Sequence, residues 1–106
     1  MIFPGNLKKM MQRVFDIEKP FVDKILSPTH RVRIFKKDAP KHQFKWHSDE
    51  KKRTIWAMIE NDWQFQFDNE FPFELEMDIP IVITKGRIHR LIPGTTELSL
   101  TIKETP

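Results

Sequence analysis

The distribution of apolar and polar positions changes at Arg31, after which short runs of alternating character replace the earlier pattern. Alternation of apolar and polar side chains is the period of a half-buried β-strand, and Asn, Asp, Pro and Gly mark the turns between the runs. The pattern predicts strands near residues 31–36, 42–48, 53–60, 62–67, 72–77, 79–84, 87–92 and 97–103. This number of short strands is typical of an all-β protein and suits a jelly-roll barrel formed by two sheets.

The segment before residue 29 has a different spacing. Its apolar residues recur at intervals of three and four, the period of one helix face, and they are Leu7, Met10, Met11, Val14 and Phe15. Pro20 then interrupts the pattern. We expect residues 1–28 to form an N-terminal arm, helical or irregular, and residues 29–106 to form the β-barrel. The arm has two interpretations: it covers one end of the barrel, or it forms a dimer contact.

Composition limits the chain to one domain and removes several kinds of chemistry. The 106 residues are 39% hydrophobic and 11% aromatic, which suffices for one core but not for two. The absence of cysteine excludes disulfides, thiolate metal sites and thiol nucleophiles. The formal net charge is +3, but the Lys and Arg residues are scattered among acids. Since the first residues lack the apolar core of a secretory signal and no run is long enough to cross a bilayer, we expect a cytoplasmic protein.

One stretch, from Asp78 to His89, carries a motif. Alternating apolar residues lead to a turn at Gly86, after which the chain delivers His89 onto the next strand. In the spacing of Asp78, Gly86 and His89 the stretch resembles the second sequence motif of the cupin family, although Thr84 stands where proline is usual. The resemblance covers roughly residues 42–103 and implies the cupin double-stranded β-helix, a jelly-roll barrel. Because isomerases, dioxygenases and sugar-binding proteins all have that fold, the resemblance does not identify a reaction.

The first motif of the family is less complete. When Asn61 is aligned with the usual hairpin glycine, His47 and Asp49 fall on two metal-binding histidine positions, and Thr54 falls on a glutamate ligand. His47 and Asp49 are two apart on a predicted strand and point to one face, toward which the resemblance brings His89. Two imidazoles and one carboxylate are the ligand set of non-haem Fe(II), and they also suit zinc, manganese or nickel. The alternative is a site that has lost its metal, since Thr54 supplies only a neutral hydroxyl.

The residues that face the interior around the predicted hairpin follow from parity. A turn at Asn61 sets the even positions before it beside the odd positions after it. The shared face is then formed by Thr54, Trp56, Met58, Trp63, Phe65 and Phe67. If Thr54 is interior, as the resemblance implies, these residues line the barrel lumen and predict a hydrophobic or planar small-molecule ligand. The alternative is a filled core, because barrels of this size can close on their own side chains.

Three function classes remain open. The first is a small-molecule-binding cupin in which His47, Asp49 and His89 hold a divalent metal, with or without catalysis. The second is a metal-free, non-catalytic ligand-binding or regulatory module that uses the aromatic lumen. The third, which we rank last, is a nucleic-acid-binding or acidic-partner-binding β-barrel that uses Arg31, Arg33, Lys36 and Lys37 with neighbouring aromatic residues. By resemblance to small cupins we also expect a homodimer.

Overall fold

A computed structural model describes residues 19–106, where the expectation of two β-sheets is confirmed. Within that range the eight strands are β1 (Phe21–Ile25), β2 (His30–Phe35), β3 (Lys52–Ala57), β4 (Gln64–Phe67), β5 (Phe73–Glu74), β6 (Ile81–Ile83), β7 (His89–Ile92) and β8 (Leu98–Thr105). The larger sheet has the order β1-β2-β8-β3-β6, and the smaller sheet has the order β5-β4-β7. The paired strands of both sheets are antiparallel.

The hydrophobic core lies between the two sheets. On β8 the buried apolar residues are Leu98, Leu100 and Ile102. They alternate along the strand, as the sequence pattern predicts for a strand with one face on the core. From the smaller sheet, Phe65 of β4 packs into the same core. Trp63 is also buried, and its indole Nε1 donates a 2.6 Å hydrogen bond to the carbonyl of Thr96, which satisfies its polar end.

The larger sheet begins earlier in the chain than predicted. Residues 21–25 were expected in an N-terminal arm, but they form β1, which pairs with β2 from Phe21↔Phe35 to Ile25↔Arg31. The ring of Phe21 packs 5.5 Å from the ring of Phe35, so this strand contributes to the core. The prediction of an arm that extends to residue 28 is therefore wrong for these residues. The helix-like spacing extends over residues 6–26, and its part before residue 19 lies outside the described residues.

The strand predicted at residues 42–48 is a short 3₁₀ helix, Lys41–Gln43, followed by chain in which His47 forms an isolated β-bridge. Pro40 precedes the helix with φ −60° and cannot donate the backbone hydrogen bond that a ladder would require. Phe44 follows the helix and packs against the core. In the part of the chain that the structure describes, no helix is long and apolar enough to cross a membrane.

Strands β3 and β4 do not form the hairpin that the parity argument assumes. β3 pairs with β6 and β8 in the larger sheet, whereas β4 pairs with β5 and β7 in the smaller sheet. The chain crosses from one sheet to the other over residues 58–63. Asn61 accordingly has no positive φ, and its side-chain amide instead donates to the carbonyls of Ile59 and Leu75.

The face of β3 that points into the core is the opposite of the predicted one. The inward side chains are Ile55, which is 4% exposed, and Ala57, which is fully buried. Three residues predicted for the lumen lie on the opposite face, and they are Thr54, Trp56 and Met58. Their predicted position is wrong, because the parity argument holds only for a hairpin, and here the odd positions of both β3 and β4 face the core. The interior position predicted for the other three residues is confirmed, since the structure buries Trp63, Phe65 and Phe67.

The loop between β7 and β8 is closed by Asp62. Its carboxylate accepts hydrogen bonds from the hydroxyl of Thr95 at 2.6 Å, the backbone N–H of Thr95 at 2.8 Å and the backbone N–H of Thr96 at 3.1 Å. These bonds, the Thr95 hydroxyl first, lower the pKa of Asp62 to about 2. Gly94 is required beside this carboxylate, because a Cβ on it would lie 2.6 Å from the backbone oxygen of Asp62.

Candidate functional site

The two histidines of the predicted metal site lie directly opposite each other. His47 and His89 form an antiparallel bridge, with His47 N–H bound to the His89 carbonyl at 3.0 Å and the reciprocal bond at 2.9 Å. Side chains of such a pair project from the same side of the ladder. The two imidazole centroids are consequently 4.4 Å apart. On its other side, β7 pairs His89 with Phe67 of β4, so this histidine is held between two partners.

Asp49 completes the cluster. Its Oδ2 lies 3.2 Å from His89 Nε2, and one ligand atom from each of His47, Asp49 and His89 falls within 4.8 Å of the others. The turn before β7 contributes to this placement, because Gly86 takes a left-handed φ of +79° and donates its N–H to the Asp49 carbonyl at 3.0 Å. The structure therefore brings together the three predicted metal ligands.

Each histidine is oriented by a carbonyl two residues before it. His47 Nδ1 lies 2.9 Å from the oxygen of Lys45, and His89 Nδ1 lies 2.7 Å from the oxygen of Arg87. A carbonyl oxygen can only accept, so Nδ1 carries a proton, and in the neutral imidazole Nε2 then keeps its lone pair. Hydrogen bonds of this kind orient metal-ligating histidines in proteins. Both Nε2 atoms are thus prepared as ligands.

Burial favours the neutral form of His89, which is the form that binds a metal. Burial lowers the pKa of His89, and the nearby His47 lowers it further, while the Arg87 carbonyl and Asp49 act in the opposite direction. The imidazole also stacks on the ring of Phe65, with centroids 5.4 Å apart and an interplanar angle of 14°. This contact fixes the plane of the ring and leaves its Nε2 directed at Asp49.

The donor atoms of the cluster fit a cation. Asp49 Oδ2 is buried and accepts no hydrogen bond from the described residues, although the lone pair of His89 Nε2 is 3.2 Å away. A buried carboxylate oxygen that lacks a donor is unfavourable, and a nitrogen lone pair close to it adds repulsion. A divalent metal bound to Asp49, His47 and His89 would relieve both. Two imidazoles and a carboxylate suit Fe(II), zinc, manganese or nickel.

Sequence reasoning missed one residue of the site, Arg53. Its Nη1 lies 3.3 Å from Asp49 Oδ1, and its Nε lies 3.4 Å from Glu104 Oε2. Burial lowers the pKa of the Arg53 guanidinium, and the Asp49 carboxylate opposes that effect. Thr54, which was aligned with the family's glutamate ligand, points to the other face of β3. The signal for Arg53 is the inward face of β3, since Arg53 and Ile55 are two apart on that strand and share a face.

A cavity of about 310 Å³ adjoins the cluster. Its wall is mainly apolar, and its aromatic members are Phe21, Phe35, Phe44 and Phe65. The polar and charged residues that line it are His47, Asp49, His89 and Arg53, together with Arg33, Gln43 and Lys45. Of the six residues predicted to line the lumen, Phe65 lines this cavity, while Trp63 and Phe67 belong to the packed core. The cavity has the apolar walls and few polar groups that are typical of a small-molecule site.

Ion pairs form the polar wall next to the cavity. Arg33 donates to Asp23 from Nε at 2.7 Å and from Nη2 at 2.9 Å, and these contacts, the hydrogen bond from Arg33 first, lower the pKa of Asp23. Arg31 pairs with Glu104 and lies 3.7 Å from Asp23. Because Arg31 and Arg33 bind carboxylates, this arrangement does not favour the nucleic-acid-binding alternative, which requires them to contact phosphates.

Several solved structures share this architecture. Protein NMB1881 from Neisseria meningitidis has a TM-score of 0.60 at 17% identity, over 91% of this chain and 95% of that chain. A cupin-2 domain containing protein from Shewanella frigidimarina has a TM-score of 0.58 at 16% identity, over 90% of this chain and 92% of that chain. Fe(II)-HppE, in a crystal structure with the alternative substrate (S)-1-HPP, has a TM-score of 0.57 at 16% identity, over 80% of this chain and 48% of that chain.

No family model matches the chain, and no curated protein matches it. The structural likeness nevertheless agrees with the motif that extends from Asp78 to His89. The chain therefore has the cupin fold. Within that fold it carries a cluster of two histidines and one aspartate that can hold a metal ion.

Proposed function

We propose that this protein is a small-molecule-binding cupin whose divalent metal is held by His47, Asp49 and His89. The observation that carries the proposal is that ligand atoms of His47, Asp49 and His89 lie within 4.8 Å of one another, around a buried Asp49 oxygen that has no hydrogen-bond donor among the described residues. The structurally similar HppE contains Fe(II), which supports a metal in a protein of this fold. When bound, such a metal acts as a Lewis acid toward an oxygen of the ligand.

The residues around the metal ligands have separate roles in this proposal. The carbonyls of Lys45 and Arg87 fix the tautomer of the two histidines. Phe65 holds the plane of His89 by stacking. Apolar residues such as Phe44 and Leu91 line the cavity, where they exclude water and contact the apolar body of the ligand.

Elemental mass spectrometry of the purified, tag-free protein tests the metal site. We expect near-stoichiometric iron, zinc, manganese or nickel in the wild-type protein, and its loss in His47→Ala, His89→Ala and Asp49→Asn. His42→Ala is the matched control, since His42 is exposed on the 3₁₀ helix and lies outside the cluster. Metal that persists in a His47→Ala/His89→Ala double variant, or a wild-type protein that takes up no metal after reconstitution, would contradict the proposal.

A second candidate is a metal-free ligand-binding module, and Arg53 favours it. Its guanidinium, 3.3 Å from Asp49, supplies a positive charge to the carboxylate that a metal would otherwise supply. Under this alternative, ligand affinity measured by calorimetry is the same in the presence and the absence of a chelator. Under the metal-dependent proposal, the chelator weakens binding and added metal restores it.

We also propose that the protein is a homodimer that forms through the outer face of the larger sheet. Val22, Met58 and Val82 expose 45% to 55% of their surface there, and Trp56 lies between them half-buried. Neighbouring apolar side chains on a sheet face are typical of an interaction surface. A mass equal to one chain in light scattering would contradict the dimer, and Trp56→Arg is expected to dissociate it.

A further inference from the structure

Arg53 contacts its two carboxylate partners at long distances. Nη1 is 3.3 Å from Asp49 and Nε is 3.4 Å from Glu104, whereas charge-assisted hydrogen bonds are usually about 2.7–2.9 Å long. Arg33 differs, because it binds Asp23 through two bonds of 2.7 and 2.9 Å. A guanidinium has five N–H donors. That of Arg53 is therefore held in position at the cavity wall while it keeps donors for a ligand.

The charges near Arg53 do not balance once Asp49 binds a metal. The network joins three guanidinium groups, those of Arg31, Arg33 and Arg53, to the carboxylates of Asp23 and Glu104 as well as Asp49. If the Asp49 carboxylate neutralises part of the metal charge, three positive groups face two negative ones. An unpaired charge in a half-buried wall is unfavourable. One negative charge on a ligand would complete the network.

The shape of the site favours a planar anion on an apolar body. The fork of a guanidinium matches a carboxylate, which it can bind through two parallel hydrogen bonds. Arg53 lies at the end of the cavity that holds Asp49 and His89, and the remaining wall is formed mainly by aromatic and aliphatic side chains. Arg53 offers one such fork, which is matched by one carboxylate on the ligand.

We propose that the cavity binds an organic monocarboxylate, whose carboxylate contacts Arg53 beside the metal and whose apolar body lies against Phe65 and Phe44. This inference rests on the proposed metal site, since the metal removes Asp49 from the charge balance of the network. Arg53 then binds the charged group of the ligand, and the apolar side chains of the cavity wall contact its apolar part.

The test compares each carboxylate with its neutral amide. Benzoate, phenylacetate, 3-phenylpropanoate and hexanoate, each paired with the corresponding amide, are titrated into zinc-loaded protein and into chelator-treated protein by calorimetry. We expect at least one carboxylate to bind the zinc-loaded protein about 10- to 100-fold more tightly than its amide, the range for hydrogen bonds to a charged group. Arg53→Gln should bring the two affinities together, mainly by weakening the binding of the carboxylate.

Arg90→Gln is the matched control, because Arg90 packs over Trp46 and does not line the cavity. Arg53→Lys keeps the positive charge but loses the planar guanidinium, so the preference of this variant for the carboxylate should fall by several-fold. If Arg53→Gln does not fold, Arg53→Lys replaces it in the test. The inference is overturned if no carboxylate binds, if amides bind equally well, or if Arg53→Gln keeps the preference.

The experiments test the metal site and the carboxylate site separately. Protein that binds zinc but shows no preference for carboxylates would contradict this inference and leave the proposed metal site intact. Protein that takes up no metal but prefers the carboxylate through Arg53 would contradict the proposed metal site and support the recognition by Arg53.

Discussion

Replacing Ile55 by alanine should destabilise the protein far more than replacing its neighbour Thr54. Ile55 is 4% exposed and faces the core from the middle of β3, where it pairs with Ile102 on one side and Ile81 on the other. The substitution removes three carbon atoms, at about 0.8 kcal/mol for each buried methylene. A term for the new cavity normally adds to this. Because Ile55 already borders the existing cavity, we expect a total of about 2–3 kcal/mol.

Thr54 provides the matched comparison. It lies on the outer face of the same strand, between the same two neighbouring strands, and is only partly buried. Thr54→Ala should cost about 0.5 kcal/mol or less, as is usual for such surface positions. For a domain of this size 1 kcal/mol corresponds to about 4–8 °C in Tm, so Ile55→Ala should lower Tm by roughly 8–24 °C.

Urea unfolding followed by tryptophan fluorescence measures both free energies of unfolding. The m value should be the same for wild type and variants, which shows that the loss lies in stability rather than in a change of the unfolded state. Equal costs, or a larger cost for Thr54→Ala, would refute the orientation of β3. That outcome would restore the lumen face predicted from a hairpin at Asn61.

Three further predictions concern the loop at Asp62 and the metal. The pKa of Asp62 is lowered to about 2, so its contribution to stability is present above its unfolded pKa near 3.8 and is lost as the pH falls toward 2; the stability difference between wild type and Asp62→Asn should shrink in unfolding experiments over that interval. Gly94→Ala should cost about 1–3 kcal/mol in urea unfolding, since its Cβ would lie 2.6 Å from the Asp62 oxygen; an unchanged midpoint would contradict this. Metal at 100 times its Kd should raise the free energy of unfolding of the wild type by about 2.7 kcal/mol and that of Asp49→Asn by much less.

The sequence pattern was sufficient where one side of a strand is buried and the other is not. On β8, Leu98, Leu100 and Ile102 alternate with more polar residues, so the inner face followed from a period of two. The spacing of Asp78, Gly86 and His89 was similarly informative, because the turn needs a positive φ and Gly86 adopts one. These features depend on residues that are close in the sequence, so the sequence pattern was enough to predict them.

The pattern was insufficient where distant pairing decides the structure. Apolar residues lie on both faces of β3, with Ile55 on one and Trp56 on the other, so alternation could not show which face is inside. A hairpin after Ala57 was the simplest local solution, but pairing of β3 with β6 and β8 makes the chain cross to the other sheet. The same limitation applies to β1, whose place at the sheet edge depends on pairing with β2.

The orientation of β3 also determines the chemistry of the site. If Thr54 faced the interior, the position next to Asp49 would hold a neutral hydroxyl, and the cluster would lack a positive side chain. With Ile55 inward, Arg53 is inward as well, because residues two apart on a strand share a face. The guanidinium then lies 3.3 Å from Asp49, where a further oxygen ligand to the metal would otherwise be expected. The unfolding comparison of Ile55→Ala with Thr54→Ala therefore also tests the premise of carboxylate recognition, because a reversed strand would carry Arg53 out of the cavity.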